Sequence, residues 1–224
     1  MISKYMIDRL KLLRESNIKY LTPMDLFLEK FKGAEALLDF VEEQASDEEL
    51  KQQARWNFVI MCVSAMEIFF KRMAEIFIQG GWVHGSFFKS LRKDERLSVD
   101  LLKKDKEKYT DGEIISISNS FQNLDSINHF FTRMIGKNFL KEISEFKAPI
   151  GQNKYIILKD DHPEFRKEIS ELIHYRKLVI HQDTVGRKLS KKYLYKMTGS
   201  LMDFIYASEL YLADISGGFD EKPR

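Results

Sequence analysis

The sequence SDEELKQQARWNFVIMCVSAMEIFFKRMAEIFIQGG, residues 46–81, predicts one long amphipathic helix. It opens with a capping-box pattern, in which Ser46 is followed three residues later by Glu49. Two glycines, Gly80 and Gly81, predict its end. Apolar residues recur along it at the spacing of a single helix face: Trp56, Val59, Ile60, Val63, Phe70 and Phe77. A helix of this length with one apolar face indicates a helical protein core.

Further helices are predicted on both sides of this segment. Before it, Thr22 and Pro23 match the cap and the first residue of a helix that runs to about Glu43. Another helix is predicted over residues 3–16, and short helices with exposed faces are predicted over residues 87–109. The first half of the chain is therefore expected to be almost entirely helical.

The second half continues the helical pattern with one interruption. Gly136 predicts the stop between two shorter helices. Residues 149–158 break the pattern and predict an extended segment or a brief strand, and the last helix is predicted to end at residues 217–218. Because the chain has no internal repeat and no linker composition, we predict a single all-α domain over residues 1–224.

Composition places the chain among globular proteins. Hydrophobic residues make up 44% and charged residues 31% of its 224 residues, which excludes a disordered chain. Lysine and arginine (36) nearly balance aspartate and glutamate (34). Global charge therefore does not indicate nucleic-acid binding, and any such indication must be local.

The cellular compartment is predicted from the number of cysteines and from the lengths of the apolar segments. The single cysteine, Cys62, lies in an apolar run and forms no internal disulfide, which predicts a core residue in a reducing, cytoplasmic protein. The N-terminus lacks the apolar stretch of a signal peptide. The longest apolar run, residues 58–66, is too short to span a membrane and is followed at once by Glu67.

Two charged residues fall on faces that should be buried. Glu67 interrupts the apolar stripe of the long helix, and Arg176 interrupts a second stripe in a helix predicted over residues 168–183. That stripe consists of Ile169, Leu172, Ile173, Val179 and Ile180. Since a buried charge needs a partner, Glu67 and Arg176 are expected to meet or to share a polar network. A plain ion pair that fixes helix register and a functional role are both open at this point.

Groups suited to phosphate chemistry follow Arg176. His181, five residues on, carries the side chain type that titrates nearest neutrality. Beyond it, five cations crowd the first turns of the last helix: Arg187, Lys188, Lys191, Lys192 and Lys196. Cations at a helix N-terminus oppose the helix dipole by about 0.3–1 kcal/mol each, so together with the free N–H groups they predict an anion site. A solvated charged face is the alternative.

Other kinds of site have little support in the sequence. His174 and His181 share a helix face and could be joined by His162 or His129, but no metal-binding spacing is present. Glycine-rich nucleotide-binding motifs are absent, and Cys62 is a poor nucleophile in an apolar run. We therefore predict no metal and no cofactor.

Three segments of the chain, in order, resemble the HEPN superfamily (higher eukaryotes and prokaryotes nucleotide-binding domain). Residues 173–182, IHYRKLVIHQ, are similar to its signature of arginine, four to six residues and histidine. Residues 63–71, VSAMEIFFK, resemble its second helix. Residues 121–128, FQNLDSIN, and 135–139, IGKNF, resemble the segment that links the helical pairs in large stand-alone prokaryotic members. The likeness covers about residues 54–212.

The resemblance implies an architecture for the chain. It implies a helical bundle of four to five core helices with inserted short helices, formed by residues 46–216. Residues 1–45 would be an N-terminal helical extension and residues 217–224 a polar tail. It also implies a homodimer in which the two arginine–histidine motifs share one cleft.

The same resemblance implies a metal-independent endoribonuclease, of the kind found in toxin–antitoxin and phage-defence (abortive-infection) systems, with RNA as substrate and an antitoxin or regulatory protein as a possible partner. Arg176 and His181 would be catalytic, and Glu67 and Lys177 supporting. Four cations would contact RNA: Arg187, Lys188, Lys191 and Lys192. A non-catalytic module that binds RNA, a nucleotide or a protein is the first alternative, because Lys177 stands where active members often carry a small polar residue. A purely structural role for Arg176 and Glu67 is the second.

Helix geometry bears on how the two catalytic candidates would act together. Five residues of a regular α-helix turn about 500°, so Arg176 and His181 would point about 140° apart. Their joint action in one site requires either a bend at the helix end or pairing across the dimer interface. We favour the dimer interface.

Overall fold

The computed structural model describes residues 22–91, 109–151, 154–181 and 188–217. Helices hold 76% of them, and the predicted all-α character is confirmed. The eight α-helices are α1 (Pro23–Gln44), α2 (Glu48–Gly80), α3 (Asp111–Ser118), α4 (Leu124–Ile135), α5 (Phe139–Glu145), α6 (Leu158–Asp161), α7 (Phe165–Ile180) and α8 (Lys191–Ile215). A short 3-10 helix spans Phe88–Ser90. The helix predicted over residues 3–16 lies outside the described residues, as does most of 87–109.

A small antiparallel hairpin interrupts the helices where the sequence predicted an extended segment. Its strands are β1 (Ala148–Gly151) and β2 (Lys154–Ile156), and Pro149 pairs with Tyr155. The Tyr206 hydroxyl of α8 donates to the Pro149 carbonyl at 2.5 Å. The hairpin is therefore fastened to the last helix.

Local capping chemistry sets the helix ends largely as predicted. Thr22 caps α1 in a capping box, since its hydroxyl accepts from the Asp25 amide at 3.1 Å and the Asp25 carboxylate accepts from the Thr22 amide at 3.0 Å. Gly81 ends α2 in the left-handed conformation, with φ 73°. The capping box predicted at Ser46 is wrong. Asp47 is the cap instead, accepting from the Glu49 amide at 2.9 Å, because aspartate caps as well as serine.

Helix α2 is the centre of the fold and packs against α1, α3, α7 and α8. Phe70, fully buried, contacts rings from four elements, with Phe131 and Phe204 both 5.4 Å away between ring centroids. Cys62 is a core residue as predicted, and burial raises the pKa of its thiol. The apolar stripe predicted for α2 differs from the face that is buried. Phe58 is buried although it lies off the stripe, whereas Ile60, which lies on it, is only half-buried. Neighbours on several sides bury more than one face of the helix.

Helix α1 belongs to the same core as α2. Its buried residues are Pro23, Leu26, Phe27, Phe31, Ala34 and Leu38, and the last four belong to the main hydrophobic cluster. The predicted boundary between an extension over residues 1–45 and a core over 46–216 falls in the turn between these two helices. That boundary stays a prediction. Within the described ranges, no helix has an apolar stretch long enough to cross a membrane.

A buried arginine ties the start of α8 to the α1–α2 turn. Arg55, which is 8% exposed, makes a two-pronged contact with Glu42, through Nε at 2.5 Å and Nη2 at 3.0 Å. Its Nη1 also donates to the Leu189 carbonyl at 3.2 Å. The side-chain amide of Gln52 bonds both the N–H and the C=O of Leu189. Leu189, two residues before α8, is thus fixed to α2.

We expect Arg55→Lys to lower the free energy of unfolding by about 1–3 kcal/mol. Lysine keeps the charge but lacks the planar fork, so one Glu42 oxygen loses its donor and the Leu189 carbonyl keeps only the bond from Gln52. Urea unfolding of the two proteins measures the difference. The control is Lys167→Ala, which removes an exposed ion pair to Glu164 and should cost less than about 0.5 kcal/mol. Equal effects of the two changes would contradict the assigned role of Arg55.

Candidate functional site around Arg176

Arg176 lies one turn from the C-terminal end of α7 and is half-buried. Its Nη1 donates to the Gln122 side-chain oxygen at 3.1 Å. Its Nε is buried and has no hydrogen-bond partner among the described residues. A buried donor without a partner is costly and rare, and it calls for a physical explanation.

Gln122 links Arg176 to the charged pair on α2. Its Nε2 donates to Glu67 Oε2 at 2.9 Å, and Glu67 Oε1 accepts from Lys71 Nζ at 2.6 Å. Glu67 and Lys71 are both buried, at 7% and 5% exposure. The predicted polar network between Glu67 and Arg176 is confirmed, but the direct ion pair is wrong. Glu67 pairs with Lys71, one turn on along the same helix, and reaches Arg176 only through Gln122.

The backbone around Gln122 is held on both sides. Phe121 is fully buried, with its ring centroid 5.1 Å from that of Phe130. Asn123 caps α4 by accepting from the Ser126 amide at 2.7 Å. Gln122 therefore projects from a fixed point in the bend between α3 and α4. Sequence reasoning missed it as a site residue; its only signal was its place between an aromatic residue and a helix cap.

The charge of Arg176 is not neutralised within the described chain. Of the residues in the structure, no carboxylate forms an ion pair with it, and its one hydrogen-bond partner is a neutral amide. The four side chains Lys71, Glu67, Gln122 and Arg176 together carry two positive charges and one negative charge. A guanidinium so placed is suited to binding an oxyanion such as phosphate.

His181 lies at the end of α7 rather than within it. The helix ends at Ile180, and His181 is the C-cap, with its amide donating to the Lys177 carbonyl at 3.1 Å. The predicted helical state of His181 is therefore wrong, in keeping with the low helix propensity of β-branched Val179 and Ile180. Residues 182 and 183, which the predicted helix included, lie outside the described residues. The predicted stripe fails at the same point: Val179 is half-buried and Ile180 is 50% exposed.

Three exposed side chains follow Arg176 on this end of α7. Lys177, Ile180 and His181 all face solvent. Within the described chain, Arg176 and His181 form no hydrogen bond with each other. An exposed imidazole, an exposed ammonium and a half-buried guanidinium thus occupy the last turn of one helix.

At the start of α8, where the sequence predicts an anion site, one of the cations is paired with a carboxylate of the chain. The Ser190 hydroxyl caps the helix by accepting from the Tyr193 amide at 3.2 Å. Lys191 donates to Asp39 of α1 at 2.8 Å and lies 5.5 Å from the centroid of the Tyr195 ring. Hydrogen bonds from Lys191 and Tyr195 lower the pKa of Asp39, and the hydrogen bond to Asp39 raises the pKa of Lys191. Lys191 is thus engaged in joining α8 to α1.

The other cations of this basic run differ in placement. Lys188 and Lys192 are exposed. Lys196 pairs with buried Glu168 at 2.7 Å. Arg187 lies outside the described residues. Lys188 and Lys192 are the two of the four predicted RNA contacts that the structure describes as exposed.

A cleft of about 500 Å³ lies near the opposite end of α7, and neither Arg176 nor His181 lines it. Glu168 on its wall accepts from Lys196 Nζ and from the Ser200 hydroxyl. Burial alone would raise the pKa of Glu168, but these bonds outweigh it and the pKa is lowered. His162 Nε2 lies 3.0 Å from Asp203 Oδ2. Glu168 therefore joins α7 to α8, and His162 joins the segment before α7 to α8.

In the part of the chain that the structure describes, no three histidine, cysteine, aspartate or glutamate side chains are grouped so that they could hold a metal ion. Comparison of the chain with protein-family models, with curated proteins and with solved structures finds no match.

Proposed function

We propose that this chain is a metal-independent endoribonuclease of the HEPN type, with Arg176 and His181 as its catalytic residues. The observation that carries the proposal is the guanidinium of Arg176, whose one hydrogen bond among the described residues goes to a neutral amide and whose charge meets no carboxylate there. A phosphate oxygen is a ligand that would neutralise this charge.

The chemistry follows from the two side chain types. The ribose 2′-oxygen attacks the neighbouring phosphorus while its proton passes to a base, the 5′-oxygen leaves with a proton from an acid, and a 2′,3′-cyclic phosphate results. The imidazole of His181 serves as the base or the acid. Arg176 neutralises the charge that the phosphate gains in the transition state. Exposed Lys177, Lys188 and Lys192 supply contacts to the RNA backbone.

The proposal includes a homodimer with one composite site. Arg176 and His181 do not meet within the described chain, and half-exposed Ile180 adds an apolar contact beside them. A second copy would cover Ile180 and bring its own histidine toward the arginine of the first. The finer architecture, a HEPN-like bundle with an N-terminal extension, and a cytoplasmic toxin or phage-defence role regulated by an antitoxin, belong to the same proposal.

A non-catalytic module that binds RNA, a nucleotide or a protein is the second candidate. The exposed ammonium of Lys177, next to Arg176, favours it. A lysine at this position adds affinity for phosphate through its positive charge.

We expect the purified chain to cut mixed RNA in the presence of excess EDTA and to leave 2′,3′-cyclic phosphate ends. Gel electrophoresis follows the cleavage, and chemical end analysis identifies the termini. Cleavage that requires added metal, or termini with 5′-phosphate, would contradict the mechanism. Salt-sensitive RNA binding without cleavage would favour the second candidate.

A further inference from the structure

Gln122 is a neutral side chain that links charged side chains through hydrogen bonds. It stands between the Glu67 carboxylate and the Arg176 guanidinium, donating to the first at 2.9 Å and accepting from the second at 3.1 Å. The amide dipole is thus aligned with both neighbours, and each bond strengthens the other. Among the described residues, the hydrogen-bonded link from Glu67 to Arg176 runs through this dipole.

A carboxylate in the place of Gln122 would have a different consequence. It would form a direct ion pair with Arg176 and neutralise the charge that a phosphate needs. An apolar side chain would leave the guanidinium without its one observed anchor. Only a neutral acceptor both holds the guanidinium and leaves its charge available.

We propose that Gln122 is a positioning residue for Arg176, which orients the guanidinium toward RNA phosphate without neutralising it. This inference rests on the proposed function of Arg176, but it makes a separate claim about the network. Glu67 and Lys71 set the orientation of the Gln122 amide, and the bend between Phe121 and Asn123 sets its position.

The main test is Gln122→Glu, which has the same shape as glutamine. We expect kcat/KM for RNA cleavage to fall about 10- to 100-fold at neutral pH, since the new carboxylate pairs with Arg176. Two carboxylates at positions 67 and 122 repel each other, which favours protonation of one of them as the pH falls. A protonated glutamate donates to Glu67 and accepts from Arg176, as glutamine does. The ratio of variant to wild-type activity should therefore rise toward acid pH.

Gln79→Glu is the matched control. Gln79 lies on α2 and, like Gln122, donates from its amide to a glutamate of α2, in this case Glu75 at 3.2 Å. Unlike Gln122, it is exposed and does not contact Arg176. The same change of charge there should leave activity and its pH profile unchanged. Gln122→Met, which keeps the length and removes both bonds, should lower kcat about 10- to 100-fold with a smaller effect on KM.

A second readout does not depend on catalysis. In protein labelled with ¹⁵N-arginine, the Nε–H signal of Arg176 is identified by its loss in Arg176→Lys. We expect this signal to shift or broaden in both Gln122 variants and to stay unchanged in Gln79→Glu. In wild type it should shift on titration with inorganic phosphate, and less so in Gln122→Glu.

The outcomes separate this inference from the proposed function. An unchanged Arg176 signal in both Gln122 variants, or wild-type activity in Gln122→Met, would overturn the role of Gln122. If wild type cuts no RNA but the signal responds as expected, the nuclease proposal fails while the positioning role is supported. If Gln122→Glu loses activity without recovery at acid pH and without a change in the signal, the role is also overturned.

Discussion

His181→Ala is expected to lower the rate of RNA cleavage by about 10²–10⁴-fold, the range found when a general acid or base is removed. Alanine cannot accept the proton of the 2′-hydroxyl or return one to the leaving 5′-oxygen. Because His181 is an exposed residue at the end of α7, its removal should disturb little packing among the described residues. The loss should therefore appear in kcat, with circular dichroism and the unfolding midpoint unchanged.

His174→Ala is the matched control for this prediction. His174 is also exposed on α7, and it lies seven residues, or about two turns, before His181 on nearly the same face. The two variants remove the same side chain from the same helix. We measure cleavage of one RNA by wild type and both variants in excess EDTA. Full activity in His181→Ala, or an equal loss in both variants, would show that His181 is neither the acid nor the base.

The helices were largely predictable because their determinants are local. The Thr22 cap, the Pro23 start and the stops at Gly81 and Gly136 all depend on residues within one turn of the helix end. The error at Ser46 was also local, since Asp47 competes for the same cap position. Burial was less predictable. Whether a residue such as Ile180 is covered depends on neighbours that are distant in sequence.

The candidate site was predictable only where a residue conflicted with its surroundings. Glu67 and Arg176 stood out because a charge on an apolar helix face requires a partner. Gln122 carried no such signal, because an uncharged amide in a bend between helices is ordinary. Lys191 shows the opposite case: it lay in a basic run, but Asp39, far away in sequence, pairs with it. Both partnerships arise from tertiary packing and not from spacing along the chain.

Arg176→Ala is expected to lower kcat by about 10²–10³-fold, as when a donor that stabilises transition-state charge is removed. Arg176→Lys should recover only part of the loss, because an ammonium keeps the charge but cannot present two parallel N–H groups to a phosphate. Neither change removes an ion pair. The free energy of unfolding should therefore fall by no more than about 0.5–1.5 kcal/mol, the value of one hydrogen bond to a neutral acceptor.

The combination of a large kinetic effect and a small effect on stability distinguishes the catalytic proposal from a structural role. If Arg176 served mainly to neutralise a buried carboxylate, its removal would cost about 3–5 kcal/mol, and activity would fall as the folded fraction fell. In the structure, Glu67 accepts from Lys71 at 2.6 Å, a bond in which Arg176 takes no part. Urea unfolding and cleavage rates measured on the same preparations of Arg176→Ala decide between the two. A stable, inactive protein supports catalysis, whereas a protein destabilised by several kcal/mol would identify Arg176 as a residue that maintains the fold.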